Sequence, residues 1–181
     1  MTEKPSLRVI AAMPAYNEAS HVGELVLRAK QHADEVIVFD DGSTDNTSEV
    51  ACASGATVLR HEGNEGKGTA IQKILAEARK RSPDVLVLLD ADSQHNPDEI
   101  PLFVKAVTEG ADLVIGSRVL QAYKTPRHRR FGQKVLLYFA RIVSGRNLSD
   151  SESGFRALSS KALATLVLKE KGFAIETEMN L

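Results

Sequence analysis

The residues with the most chemical potential stand directly behind short apolar runs. Asp90-Ala91-Asp92 follows Val85-Leu86-Val87-Leu88-Leu89, and Gln94 comes two residues later. Carboxylates at this spacing in an irregular turn can face one cation, with the Gln94 amide oxygen as a neutral third ligand. All three are hard oxygen donors, a set that favours Mg2+ or Mn2+. An Asp-x-Asp pair alone is a weak signal, because a solvated turn uses the same residues. Its position behind the most apolar run gives it weight.

Three further polar clusters share that placement. Pro14-Ala15-Tyr16-Asn17-Glu18 follows the run from Leu7, Asp40-Asp41-Gly42-Ser43 follows Glu35 to Phe39, and Gly116-Ser117-Arg118 follows Leu113 to Ile115. A carboxylate in the second cluster can accept hydrogen bonds from a nucleobase, and Tyr16 and Glu18 can contact base and ribose. The competing uses are an N-capped turn for the aspartates and plain packing for the tyrosine. Gly63-Asn64-Glu65-Gly66-Lys67-Gly68 looks like a phosphate-cradling loop. It lacks the Walker spacing, which needs four residues between the glycines and Ser or Thr after Gly-Lys. A flexible loop is the simpler use of these residues, with a phosphate or ribose contact by Lys67 as the alternative.

The elements that must carry these clusters alternate in type. Leu7 to Met13 reads as a strand stopped by Pro14, and Val22, Val26 and Ala29 recur at helical spacing. The pattern continues with a strand at Glu35 to Phe39, a helix through Ala53, a strand at Ala56 to Leu59 and a helix at Gly66 to Lys80. It ends with a strand at Val85 to Leu89, a helix at Pro97 to Thr108 and a strand at Leu113 to Ile115. Runs such as Val36-Ile37-Val38-Phe39 lack polar alternation, as strands covered on both faces do. The expectation is an α/β fold, a three-layer sandwich with a mostly parallel central sheet, in a single domain over residues 1–181. Ligands of such sheets bind outside the carboxyl ends of the strands, so the clusters should meet on one rim. Beyond residue 118 the rhythm breaks into a basic loop, an amphipathic helix at about Arg129 to Ser144, an irregular or extended stretch from Asn147 to Ser159 and a helix at Ser160 to Leu168. Phe173 to Leu181 has no cap or breaker, so the natural protein is expected to continue past it.

Composition narrows the classes. A chain of 181 residues, 43% hydrophobic and 26% charged, supports one globular core. A net charge of -1 argues against a nucleic-acid partner, yet the charge is unevenly spread. No Asp or Glu occurs from Leu113 to Ser149, a stretch that holds Arg118, Lys124, Arg127, Arg129, Arg130, Lys134, Arg141 and Arg146. Such a stretch suits an anion. The polar N-terminus, the lack of a membrane-spanning apolar run and the lone Cys52 suggest a cytoplasmic chain, with Cys52 as a small buried residue. Phe131, Val135, Phe139 and Ile142 lie about a turn apart near Lys134 and Arg141. They could rest on the cytoplasmic face of a membrane or pack into the core.

Six motifs occur together in order: Met13 to Glu18, Phe39 to Thr47, Asn64 to Gly68, Leu89 to His95, Gly116 to Arg118 and Asp150-Ser151-Glu152-Ser153-Gly154-Phe155-Arg156. Together they resemble the family 2 glycosyltransferases of GT-A fold, and among these the dolichyl-phosphate (polyprenyl-phosphate) mannosyl- and glucosyltransferase branch. The resemblance implies that Pro14, Tyr16, Glu18 and Asp41 line a base and ribose site, with Lys67, Asp90 and Ala91 also at the donor. Asp90, Asp92 and Gln94 would hold Mg2+ or Mn2+ on the diphosphate. Arg118 and one of Arg129 or Arg130 would face phosphates, and Asp150 would lie near sugar and acceptor. Asp92, Arg118 and Asp150 are the implied catalytic residues. The implied reaction moves a hexose, with inversion, from a nucleotide-diphosphate sugar to a polyprenyl phosphate at a membrane surface. Two features depart from the pattern: the loop after Arg118 lacks a glycine-rich run, and the sequence up to Leu181 does not include the membrane-proximal or transmembrane tail that the resemblance leads one to expect. The alternatives are transfer to a soluble or protein hydroxyl with Asp150 as base, a non-catalytic nucleotide-sugar-binding domain, and a nucleotidyltransferase.

Overall fold

The computed structural model describes residues 7–116, 138–139 and 154–166. In chain order these form β1 (Val9–Ala15), α1 (Val22–Ala29), β2 (Glu35–Asp40), α2 (Thr47–Ala53), β3 (Thr57–Arg60), α3 (Lys67–Arg81) and β4 (Val85–Leu88). A 3-10 turn at Pro97–Glu99 then leads into α4 (Ile100–Thr108), followed by β5 (Leu113–Ile115), β6 (Tyr138–Phe139), β7 (Arg156–Ser159) and α5 (Ser160–Thr165).

The strands make one sheet in the order β3-β2-β1-β4-β7-β5-β6. β1 to β4 pair in parallel, while β7 runs antiparallel between β4 and β5, and β6 runs antiparallel along the far side of β5. Successive residues of β1 serve opposite layers, as the two-residue period of a strand requires. Val9, Ala11, Met13 and Ala15 pack with α1, α2 and α4, while Ile10 and Ala12 pack with α3 and α5. The three-layer α/β sandwich read from the sequence is therefore present.

Local expectations are changed or narrowed at four places. β1 does not stop at Pro14 but runs in register with β2 as far as Ala15 opposite Asp40. Ala12 turns its carbonyl to Leu89, and Pro14, two residues on, faces the same side beyond the last β4 pair. The N–H that proline lacks has no ladder partner to lose there. Arg156 to Ser159, within the stretch read as irregular or extended, is an interior strand of the sheet. Tyr138 and Phe139, inside the stretch read as a helix, instead pair with Ile115 and Val114. The rest of that stretch lies outside the described residues. Cys52 is exposed rather than buried, because the inward face of α2 is taken by Thr47 and Ala51.

Among the described residues, no helix is long and apolar enough to cross a membrane. The core is anchored under β4, β5 and β7 by Phe103, fully buried on α4 and stacked on Phe155 with ring centroids 4.1 Å apart. Replacing Phe103 by Ala removes both the stack and the buried ring, and should lower unfolding stability by about 3–5 kcal/mol in urea titration.

Candidate functional site

A cleft of about 360 Å³ opens at the carboxyl ends of the central strands, lined by residues following β1, β2 and β4 and by the start of α3. The chain runs outward from β1 through β2 to β3, then returns to place β4 on the other side of β1. The cleft therefore lies at the point where strand order reverses, the usual ligand position in open α/β sheets.

Its first wall is two loops bonded into one body. The N–H of Asn17 donates to Ser43 Oγ (2.9 Å), and the Asn17 side-chain oxygen accepts from the Thr44 N–H (2.8 Å). The N–H of Glu18 donates to Thr47 Oγ1 (2.8 Å), and that of Ala19 to Asp45 (3.2 Å). Asn17 takes a left-handed conformation to do this, with φ 56°. Asn is among the residues that tolerate it.

Asp40 and Asp41 divide their labour. Asp40 is fully buried and structural: it accepts from the Ser43 N–H (2.8 Å) and the Ser48 hydroxyl, with the Arg60 guanidinium 3.6 Å away. Asp41 lines the cleft and holds the following loop, accepting from the N–H groups of Glu65 (3.0 Å) and Gly66 (2.7 Å), with His61 Nδ1 at 3.3 Å. Gly42 lets that loop approach, since a Cβ on its φ +76° backbone would sit 2.5 Å from the Gly63 carbonyl carbon. The 63–66 segment is thus tied down by Asp41, whereas the sequence suggested a flexible loop.

The second wall is centred on Asp90. Lys67 Nζ, at the first turn of α3, lies 2.8 Å from Asp90 Oδ1, and His95 Nε2 lies 3.5 Å from Oδ2. The histidine contact lacks ordinary hydrogen-bond geometry, which makes Lys67 the closer partner. On the remaining side sits Gly154, where a β-carbon would overlap the carboxylate. Burial alone would raise the Asp90 pKa. His95 and the charge and hydrogen bond of Lys67 more than reverse this and hold it at about 2.

Asp92 is half-buried on the cleft, and its Oδ1 accepts from the Gln94 N–H at 3.0 Å. Among the described residues no group of three His, Cys, Asp or Glu side chains is gathered as a metal cage. Mg2+ and similar ions at phosphate sites characteristically use one or two carboxylates and complete their shell with phosphate oxygens and water. The hard oxygens of Asp92 and Asp90 in one cleft fit such an ion.

Pro14, Tyr16, Glu18, Asp41, Lys67, Asp90, Ala91 and Asp92 are brought together in this cleft. Gln94 is exposed on the adjoining loop and is not among the lining residues. Arg118, Arg129, Arg130 and Asp150 lie outside the described residues. Sequence reasoning assigned no role to His95, Gly154, His61 or Asn64. The advance signal was that His95, Gly154 and Asn64 fall inside motifs, while His61 lies outside them.

Because the folded Asp90 pKa lies below its unfolded value, ionised Asp90 stabilises the fold above about pH 4, and that contribution is lost as pH falls through about 2. In metal-free protein, wild type should lose on the order of 2 kcal/mol more than Asp90→Asn across that window. Urea unfolding at stepped pH measures it, and parallel curves for the two proteins would contradict it.

Comparison with known proteins shows the family. The sequence model of Glycosyl transferase family 2 matches residues 10–167. The dolichol-phosphate mannosyltransferase of Pyrococcus furiosus is 32% identical over 186 residues, spanning 96% of this chain but 52% of that protein. The undecaprenyl-phosphate mannosyltransferase of Micrococcus luteus is also 32% identical over 186 residues, spanning 96% of this chain and 76% of that protein. Among solved structures, the glucosyl-3-phosphoglycerate synthase of Mycobacterium tuberculosis in complex with Mn2+, uridine-diphosphate-glucose and phosphoglyceric acid superposes with a TM-score of 0.67 at 27% identity. The match covers 94% of this chain and 63% of that one. The fold is thus the GT-A-like α/β fold, and the chain belongs to glycosyl transferase family 2.

Proposed function

We propose that the chain carries the catalytic domain of an inverting hexosyltransferase. It moves a hexose from a nucleotide-diphosphate sugar of the GDP-mannose or UDP-glucose type to a polyprenyl or dolichyl phosphate. The observation that carries this reading is one cleft in which Tyr16, Glu18 and Asp41 meet Lys67, Asp90 and Asp92. The first group suits a nucleoside, and the second suits a diphosphate and its counter-ion. The named activities of the P. furiosus and M. luteus relatives support the lipid phosphate as acceptor.

In the proposed reaction an acceptor phosphate oxygen attacks the anomeric carbon, and the bond from that carbon to the β-phosphate oxygen breaks. The nucleoside diphosphate leaves with the electron pair, and attack from the opposite face inverts the centre. A lipid monophosphate is already ionised near neutral pH, so the protein's task is positioning rather than proton removal. Lys67 is placed to offset charge on the diphosphate. A bound Mg2+ or Mn2+ would neutralise the same charge as a Lewis acid. Asp92 would be its foremost protein ligand, with Asp90 and Gln94 completing the proposed set. Arg118 and Arg130 toward the phosphates, and Asp150 toward sugar and acceptor, are proposed from the motif resemblance alone. Work on a lipid substrate would place the protein peripherally at the cytoplasmic face of a membrane.

A soluble acceptor is the second reading, favoured by the superposition on a synthase complexed with phosphoglyceric acid. One panel separates the two. GDP-mannose, UDP-glucose and UDP-N-acetylglucosamine are each incubated with Mn2+ and either polyprenyl phosphate or phosphoglyceric acid. Transfer to the lipid with inverted product stereochemistry by proton NMR is expected, and transfer only to the soluble acid would overturn the lipid assignment. Asp92→Ala should lower transfer by at least about 100-fold while leaving the thermal midpoint near wild type. A variant that retains the wild-type rate removes Asp92 from the site.

A further inference from the structure

We propose that His95 is a positioning residue, which acts through Asp90 and fixes the direction in which that carboxylate meets a nucleoside-diphosphate donor. The proposal rests on the reading of the cleft as a donor site. His95 is 3% exposed and does not line the cleft, so it reaches a ligand only through another residue. Its Nε2 is buried without a hydrogen bond of ordinary geometry, yet it points to Asp90 Oδ2 at 3.5 Å. Buried polar atoms rarely lack a partner, and those that do tend to carry a functional reason.

The ring has little freedom to turn away. It packs at 5.3 Å, tilted, on Phe155, which is itself stacked on Phe103. The Phe155 carbonyl accepts from the Gly116 N–H at 2.8 Å, which fixes this aromatic column to the end of β5. Facing a carboxylate, Nε2 must be the protonated nitrogen, which sets the tautomer. Gly154, directly before Phe155, closes a further side of Asp90 where any side chain would collide.

The two partners of Asp90, Lys67 and His95, differ in what they can do next. The Lys67 side chain is 25% exposed and lines the cleft, so an arriving diphosphate competes for its ammonium. The His95 side chain is 1% exposed and stays behind. As Lys67 turns toward phosphate, His95 is left holding Oδ2, and closing the 3.5 Å gap to a hydrogen bond stops Asp90 from rotating out of line. Groups that orient a ligating or binding residue from behind in this way are typically worth about 10- to 100-fold in affinity or activity.

The test is a double-mutant cycle read by calorimetric binding of UDP and of GDP, each with and without Mn2+. It uses wild type, His95→Ala, Asp90→Asn and the double variant, with His95→Gln as the variant that keeps a donor. His95→Ala should weaken binding of the preferred nucleotide about 10- to 100-fold, and His95→Gln should recover most of that loss. On the Asp90→Asn background His95→Ala should cost nothing further, because residues acting as one unit are not additive. The same loss on both backgrounds, or full affinity in either His95 variant, overturns the proposal. Should His95→Ala not fold, His95→Gln and His95→Asn run the same cycle. If neither nucleotide binds wild type, the donor-site reading itself falls and this proposal with it, a result distinct from additivity in a protein that binds.

Discussion

One buried negative charge organises the working end of this molecule. Asp90 stands at the mouth of β4 with most of its surface withdrawn from water, a position that would by itself favour the neutral acid. Its charge persists because His95 from the loop after β4 and Lys67 from α3 converge on it, while Gly154 from the lead into β7 leaves room for the carboxylate. The topology follows the same logic. β7 inserts antiparallel beside β4, and only that placement delivers residue 154 to the carboxylate. A glycine there is a requirement of space, since a side chain would occupy the volume of the Asp90 oxygens.

The opposite wall is organised by backbone N–H groups held by side-chain oxygens. Backbone N–H groups of Asn17, Glu18 and Ala19 are satisfied by side chains of the β2–α2 loop, and Asp41 returns the favour to the loop before α3. Three loops that would otherwise move independently are thereby fixed to one another before any ligand arrives. Preorganisation of this kind removes the ordering cost from the binding step. It is also the condition under which dipoles and charges in a water-poor cleft stabilise charge effectively.

Much of this was legible in the amino-acid order, for a definite reason. Strands buried on both faces read as unbroken apolar runs, and polar clusters at their carboxyl ends mark the rim, so Tyr16, Asp41, Asp90 and Asp92 could be gathered in advance, whereas Lys67 was placed with them only through the motif resemblance. What escaped depends on contacts distant in sequence. Nothing local distinguishes His95 from a solvated loop histidine, because its role follows from Phe155 and Asp90. β7 is too short to show a period. Its place in the sheet is set by pairing with β4 and β5. Phe139 sat at helical spacing with its apolar neighbours, yet pairing with Val114 places it in a strand. Pro14 looked like a strand end and is not one, because β4 stops before the missing N–H would matter.

The most direct test of the central claim is a crystal structure with nucleoside diphosphate and Mn2+ bound. Density for the nucleotide between the β1 and β4 loops is the expected result, with the metal on Asp92 and on diphosphate oxygens and with Asp90 still backed by His95. Nucleotide bound elsewhere, or a cleft filled only by water while the Asp92 carboxylate faces bulk solvent, would contradict it.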